Sequence, residues 1–270
     1  MTELLVFRSL WGMDNLAETF ERKIERIAEA GYDGVEGFVL ASTLPPAEFN
    51  AVVRANGLKL IMAAQIPTQA DITPTLETLA AYEPIKIGIH PGRDSMTRDE
   101  GSAFFEEALR VEERIGIPVA HETHRGRILY SPWDTLYYLR QFDNLKLVAD
   151  YSHWVNVCER LPEDQAEALS LANSRAAHIH ARVGYEQGPQ APDPAAPEYA
   201  AQRTWHETQW QQIIANRRAA GDAFVTTTPE YGPAPYLHTL PHTNVPVADN
   251  WNICLWGMAQ MRGLHANTGN

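Results

Sequence analysis

Four aliphatic runs in the chain each end in a side chain that binds cations. They are Pro118-Val119-Ala120-His121-Glu122, Leu145-Lys146-Leu147-Val148-Ala149-Asp150, Ala177-His178-Ile179-His180 and Ala223-Phe224-Val225-Thr226-Thr227-Thr228-Pro229-Glu230. As consecutive parallel strands they would bring Glu122, Asp150, His180 and Glu230 to the carboxyl end of one sheet, the edge on which α/β folds carry their chemistry. Three carboxylates and an imidazole converging on one point repel each other unless a cation holds them. The pattern therefore predicts a site for one divalent metal ion. An oxygen-rich donor set suits Mn2+ or Mg2+, and the imidazole tilts it toward Mn2+, Co2+ or Zn2+, with Mn2+ the best match to both.

Elements able to position these residues run from end to end. Strand-like runs lie near 3–8, 33–38, 58–64, 85–90, 118–122, 145–150, 176–181 and 223–229. Between and after them amphipathic stretches near 14–30, 46–56, 72–82, 98–115, 132–140, 162–173, 204–220 and 250–264 predict helices. Gly31 and Gly57 fall where a left-handed residue would close a helix, and Pro74, Pro132 and Pro162 where a first helical turn would open. Eight strand and helix pairs in alternation, with no shift in composition, predict a single (β/α)8 barrel domain over residues 1–270. The irregular, proline-rich stretch from Gly184 to Arg203 directly follows the His180 strand and reads as a lid or substrate-binding wall.

Composition narrows the function classes. Hydrophobic residues make up 44% of the 270 and charged residues 21%, the balance of an ordinary globular chain. The net charge of −12 is the wrong sign for gripping nucleic acid over a wide face. Cys158 and Cys254 are far apart and share no metal-type spacing, so both are expected as buried free thiols. No signal peptide and no membrane-spanning run is visible, and the expected location is the cytoplasm.

The order of a Glu ending the fifth strand, Asp150-x-x-His153 ending the sixth, His178-x-His180 ending the seventh and Glu230 ending the eighth resembles the xylose isomerase-like barrel superfamily. That superfamily holds sugar isomerases and epimerases together with endonuclease IV type repair enzymes. The resemblance spans the whole chain through its strand order, while its sharp motifs occupy only the strand ends. It implies that Glu122, Asp150, His180 and Glu230 bind one divalent metal. His153 is similar to a residue that contacts substrate in the epimerases and binds a second metal in the endonucleases, and His90, in Gly88-Ile89-His90-Pro91-Gly92, resembles another ligand of those endonucleases; with one metal expected, both are expected to hydrogen-bond substrate. The endonucleases carry a further His at the end of the third strand, where this chain has Gln65, so a three-zinc cluster is not expected. His124 stands where xylose isomerases proper carry a catalytic lysine, which speaks against their hydride shift.

Other residues follow from position. Arg182 lies two residues past His180, on the same side of the strand, and a guanidinium there can hold a carboxylate or a pair of hydroxyls. Glu36 ends the second strand and is expected to face the mouth. Trp11 and Trp154, with Trp205 and His206 beside the long loop, are candidates to wall a sugar ring. Arg125 and Arg127 are read as structural or as anion-binding groups. The expected function is a metal-dependent isomerase or epimerase of a small sugar or keto-polyol, acting by proton transfer through a metal-stabilised enediolate. Glu122 and Glu230 are its acid and base, and His90, His153, Arg182, His124, Trp11 and Glu36 its substrate contacts. A dehydratase or lyase on a keto-polyol is the alternative, an endonuclease-like hydrolase the more remote one. The only expected partners are a small carbohydrate and, as in many such barrels, further copies of the chain.

Overall fold

Eight parallel strands close on one another in chain order in the computed structural model, which describes residues 2–13, 16–38 and 44–268. They are β1 (Glu3–Ser9), β2 (Gly34–Phe38), β3 (Lys59–Ile66), β4 (Lys86–Pro91), β5 (Val119–Glu122), β6 (Leu147–Ala149), β7 (Ala176–His180) and β8 (Phe224–Thr228). The helices that follow them are α1 (Phe20–Glu29), α2 (Pro46–Ala55), α3 (Ile72–Ala80), α4 (Arg98–Ile115), α5 (Pro132–Gln141), α6 (Ser152–Cys158), α7 (Ala166–Arg175), α8 (Ala200–Ala219) and α9 (Asn250–Asn267). This is the (β/α)8 barrel that the alternation predicts.

Local chemistry sets the boundaries. Thr97 and Glu100 cap α4 reciprocally, Ser131 caps α5 ahead of Pro132, and Asp249 caps α9. Gly31 and Gly57 adopt φ of 84° and 71°, left-handed values that let the chain turn from α1 and α2 into the next strand. Apolar faces of the helices, such as Ile24 and Ile27 of α1 and Phe104, Phe105 and Ala108 of α4, are wholly buried against the outside of the barrel. Inside, Leu5, Phe7 and Ile61 fill the lower end. Gly34 is needed there, because a Cβ at that position would lie 2.2 Å from the Phe7 ring. Among the described residues no helix is long and apolar enough to cross a membrane.

Three sequence expectations are corrected. The helix expected near 162–173 is α7, which starts only at Ala166, and a separate helix that was not expected, α6, precedes it. Pro162 opens neither, because bonds from Glu163 N–H to Leu161 O and from Gln165 N–H to Pro162 O close a turn around it. The strand expected to reach Asp150 stops at Ala149, since Asp150 N–H donates to Thr123 Oγ1 at 2.9 Å. The helix expected from residue 14 starts at Phe20, where Thr19 caps it; residues 14 and 15 lie outside the described residues.

Candidate metal centre

The strand order delivers Glu122, Asp150, His180 and Glu230 to one point. One donor atom from each lies within 4.8 Å of every other, and all four side chains are buried. His180 Nδ1 is 3.2 Å from Glu230 Oε2, 3.5 Å from Glu122 Oε2 and 4.0 Å from Asp150 Oδ2. Below the cluster Glu36 Oε1 lies 3.0 Å from His180 Nε2, which leaves Nδ1 as the ring atom on the carboxylate side. Asp150 is fixed by short local chemistry: Ser152 donates to its Oδ1 from both N–H, at 3.1 Å, and Oγ, at 2.5 Å.

Charge at this point is unbalanced. Four buried carboxylates, those of Glu36, Glu122, Asp150 and Glu230, face one guanidinium, that of Arg182, and the imidazoles of His90, His178 and His180. Arg182 donates to Asp150 Oδ2 and lies 3.2 Å from Glu230 Oε2. Burial together with the charges of Glu122 and Glu230 raises Asp150 to about 6 in spite of Arg182. Burial would lower His180, but Glu230, Glu36 and Glu122 outweigh it and hold the ring well above the ordinary histidine value. Burial would likewise raise Glu122 and Glu230, yet their neighbours prevail: His90 and His180 hold Glu122 down, His180 and Arg182 hold Glu230 down. The upward shifts of Asp150 and His180 both reflect an excess of negative charge, which a divalent cation would offset directly. Glu122 Oε1 and His180 Nδ1 are buried without hydrogen-bond partners, as ligand atoms awaiting an ion would be. The residues therefore fit the predicted metal.

Around the cluster the expected contacts fall into two groups. His90 Nε2 lies 2.6 Å from Glu122 Oε2. Its ring stacks on His124 at 4.7 Å between centroids, and His124 in turn packs on His153 at 3.9 Å. Burial keeps His124 neutral, lowered to about 3, and His153 is depressed for the same reason. His153 Nε2 accepts from Arg182 at 2.8 Å. Trp11 covers Gly232, where a Cβ would lie 2.1 Å from the indole, and reaches over toward Arg182 at 5.7 Å.

Glu36 departs from the expectation that it faces the mouth. It is 3% exposed and spends its oxygens on His180 and Thr228, so it supports the cluster from beneath. Trp154 is corrected too: it is wholly buried, stacks on Tyr151 at 4.6 Å and donates to Leu129 O, because α6 turns it into the core. Trp205 and His206 are also buried, His206 accepting from Gly184 N–H to anchor the long loop. Arg125 donates to Asn156 and Arg127 to Gly92 O. Gln65 is exposed on β3.

Two site residues escaped the sequence reading. Tyr236, in the proline-rich segment after β8, stands edge-on to Trp11 at 4.9 Å and to His153 at 6.4 Å, with Arg125 and Arg182 over its ring. Gln190 in the long loop clasps Gly232, donating to its O at 3.1 Å and accepting from its N–H at 2.9 Å. The only signal for either is position, since both lie in loops leaving strands that end in a ligand.

A parallel eight-stranded barrel with a buried carboxylate and imidazole cluster at its strand ends defines the class. The family model of the xylose isomerase-like TIM barrel matches residues 24–190, and the chain belongs to that family. No curated protein matches the sequence. Solved structures align over nearly its full length. D-psicose 3-epimerase with D-tagatose, from Clostridium cellulolyticum H10, is 14% identical, with 97% of this chain and 99% of that chain covered and a TM-score of 0.63. A xylose isomerase-like TIM barrel protein from Mycobacterium smegmatis in complex with magnesium is 13% identical, over 99% and 98%, with a TM-score of 0.64. The probable 3-DHS dehydratase AsbF from Bacillus anthracis is 16% identical, over 98% of each chain, with a TM-score of 0.59. At these identities the likeness is one of fold.

Proposed function

We propose that this protein is a metal-dependent isomerase or epimerase of a small sugar or keto-polyol, with residues 1–270 acting as one barrel. The observation that carries the reading is the convergence of Glu122, Asp150, His180 and Glu230 within 4.8 Å of one another, beneath a rim of histidines and aromatic rings. Those four residues would hold the ion, for which Mn2+ best suits the mixed donors, and once bound it supplies a Lewis acid that acidifies a C–H bond beside a substrate carbonyl. Solved structures named for a sugar epimerase and for a magnesium complex support both halves of the reading.

The chain's own residues handle the proton. Glu122 Oε1, buried and unpartnered, is placed to accept it, and its depressed basicity keeps it ionised and ready. Glu230 follows β8, three strands further round the barrel than β5, and approaches from another side: it takes a proton from solvent and returns it to the opposite face, while the proton accepted by Glu122 leaves to solvent. Arg182 bridges Asp150 and Glu230 and so fixes both carboxylates. His90 Nδ1 and His153 Nδ1 are buried polar atoms without partners, suited to substrate hydroxyls. Burial that keeps His153 and His124 neutral lets each ring donate at one nitrogen and accept at the other.

A dehydratase on a keto-polyol is the second reading, favoured by the likeness to AsbF. It begins with the same proton removal and differs in losing a hydroxyl afterwards. The test is NMR detection of deuterium exchange in D2O with Mn2+ over ketoses, keto-polyols and hydroxy-keto acids. Deuterium beside a carbonyl with retention of every oxygen is the expected result, abolished in Glu122→Gln or Glu230→Gln. Exchange accompanied by loss of water marks the dehydratase. No exchange with any compound, in protein that binds the ion, overturns proton transfer and directs the search to phosphodiesters.

A further inference from the structure

The barrel axis below the metal centre carries polar side chains in single file, where such an interior is ordinarily packed with branched aliphatic ones. At the lower end the Lys86 ammonium, on the first residue of β4, meets Ala177 O and lies 2.8 Å from Thr226 Oγ1. Thr226 Oγ1 is 2.8 Å from His178 Nδ1, and His178 Nε2 is 3.1 Å from Thr228 Oγ1. Thr228 Oγ1 is 2.5 Å from Glu36 Oε2, and Glu36 Oε1 is 3.0 Å from His180 Nε2. None of the six side chains belongs to a residue more than 8% exposed. Four different strands contribute them, so the file exists only in the closed barrel.

Its two fixed ends give the file a direction. An ammonium only donates and an ionised carboxylate only accepts. Thr226 Oγ1 therefore accepts from Lys86 and offers its own proton to His178 Nδ1; its alternative acceptor, Ala177 O, is more distant at 3.3 Å. Nδ1 of His178, the atom that accepts from Thr226, is therefore bare, and the ring proton sits on Nε2. From Nε2 it donates to Thr228 Oγ1, with Glu36 Oε2 at 3.4 Å behind. Thr228 passes its proton to Glu36, whose other oxygen accepts from His180 Nε2–H. The opposite assignment would set the bare Nε2 of His178 against the Glu36 carboxylate, acceptor against acceptor. With the Nε2 proton held this way, Nδ1, the atom nearest Glu122, Asp150 and Glu230, is the one that gives up its proton and offers a lone pair when a cation binds.

We propose that Glu36, Thr228 and His178 are positioning residues that hold the proton on His180 Nε2 and present Nδ1 to the metal, with Lys86 setting the direction of the file from the far end of the barrel. The inference rests on the reading of His180 as a ligand. Partners behind a metal-bound histidine typically change affinity by about 10- to 100-fold when removed.

Two measurements on purified protein, neither needing substrate, test it. Imidazole 15N shifts of the metal-free protein at neutral pH should show His178 neutral and protonated on Nε2. Calorimetric Mn2+ titration should show Thr228→Val binding about tenfold more weakly and Thr228→Ser within about twofold of wild type. Lys86→Met should weaken binding several-fold although it lies at the opposite end of the barrel. The Val and Ser pair separates loss of the hydroxyl from loss of fold. A His178 protonated on Nδ1, or a Thr228→Val protein that binds as tightly as wild type, overturns the proposal. A wild-type protein that binds no Mn2+ overturns the metal reading and the proposal with it, an outcome distinct from normal binding in every variant.

Discussion

Tyr236 stands at the mouth in a place that no motif marks, between Trp11, His153 and the guanidinium groups of Arg125 and Arg182. Burial raises its phenol above the ordinary tyrosine value, so it stays neutral and serves as an aromatic surface. Loss of such a surface from a ring contact costs about 1 kcal/mol or somewhat more. Tyr236→Ala should therefore raise KM about tenfold with kcat changed far less, and Tyr236→Phe should stay near wild type. Steady-state kinetics on whichever compound shows exchange checks this, and an unchanged KM in the alanine variant removes Tyr236 from the binding surface. Glu36 makes the complementary point. Its type and strand-end position were legible, but its direction was not, because strand alternation tells which side of the sheet a residue occupies and not which neighbour it meets.

At the scale of elements, β4 brings a lysine into the barrel interior. Burial pulls Lys86 down from 10.5 to about 8, with Asp222 and Glu36 opposing the shift. The folded state therefore releases this proton earlier than the unfolded chain does. Below pH 8 both states are protonated and folding bears the full cost of the buried charge; between about 8 and 10.5 the unfolded chain holds more protons, and stability rises with pH. The difference in unfolding free energy between wild type and Lys86→Met should move in favour of wild type by about 3 kcal/mol across that window, at 1.36 kcal/mol per pKa unit. Denaturant melts at pH 7 through 10 measure it, and a pH-independent difference would show that burial does not lower the Lys86 pKa. The sixth strand and its helix show an element deciding chemistry. Because β6 ends at Ala149, Asp150 turns out of the ladder and Ser152 can bind its carboxylate from the start of α6. The long loop likewise reads as a fixed wall, with Gln190 clasping Gly232 and His206 holding Gly184.

At the scale of the molecule, a cation bound at the proposed centre would tie stability to its concentration. An ion that binds only the folded state at about a hundred times its Kd adds roughly 2.7 kcal/mol. For a chain of this size that is about 5–10 °C in Tm. Added Mn2+ should raise Tm by that amount, EDTA should reverse it, and Glu230→Gln should abolish it; a Tm insensitive to all divalent ions would argue against the centre. The sequence by itself determined the barrel and the convergence of Glu122, Asp150, His180 and Glu230 at its strand ends, because alternation of apolar runs and helical periodicity is written locally and parallel strands place their ends together without further information. It also carried the burial of Cys158 and Cys254, both free thiols inside the fold. Tertiary structure alone decided the rest. It turned Glu36 downward and Trp154 into the core, brought Tyr236 over the mouth, and aligned Lys86, Thr226, His178, Thr228 and Glu36 beneath His180. These contacts join residues as far as 192 positions apart, and their geometry depends on the closure and register of the whole barrel, which no local pattern encodes.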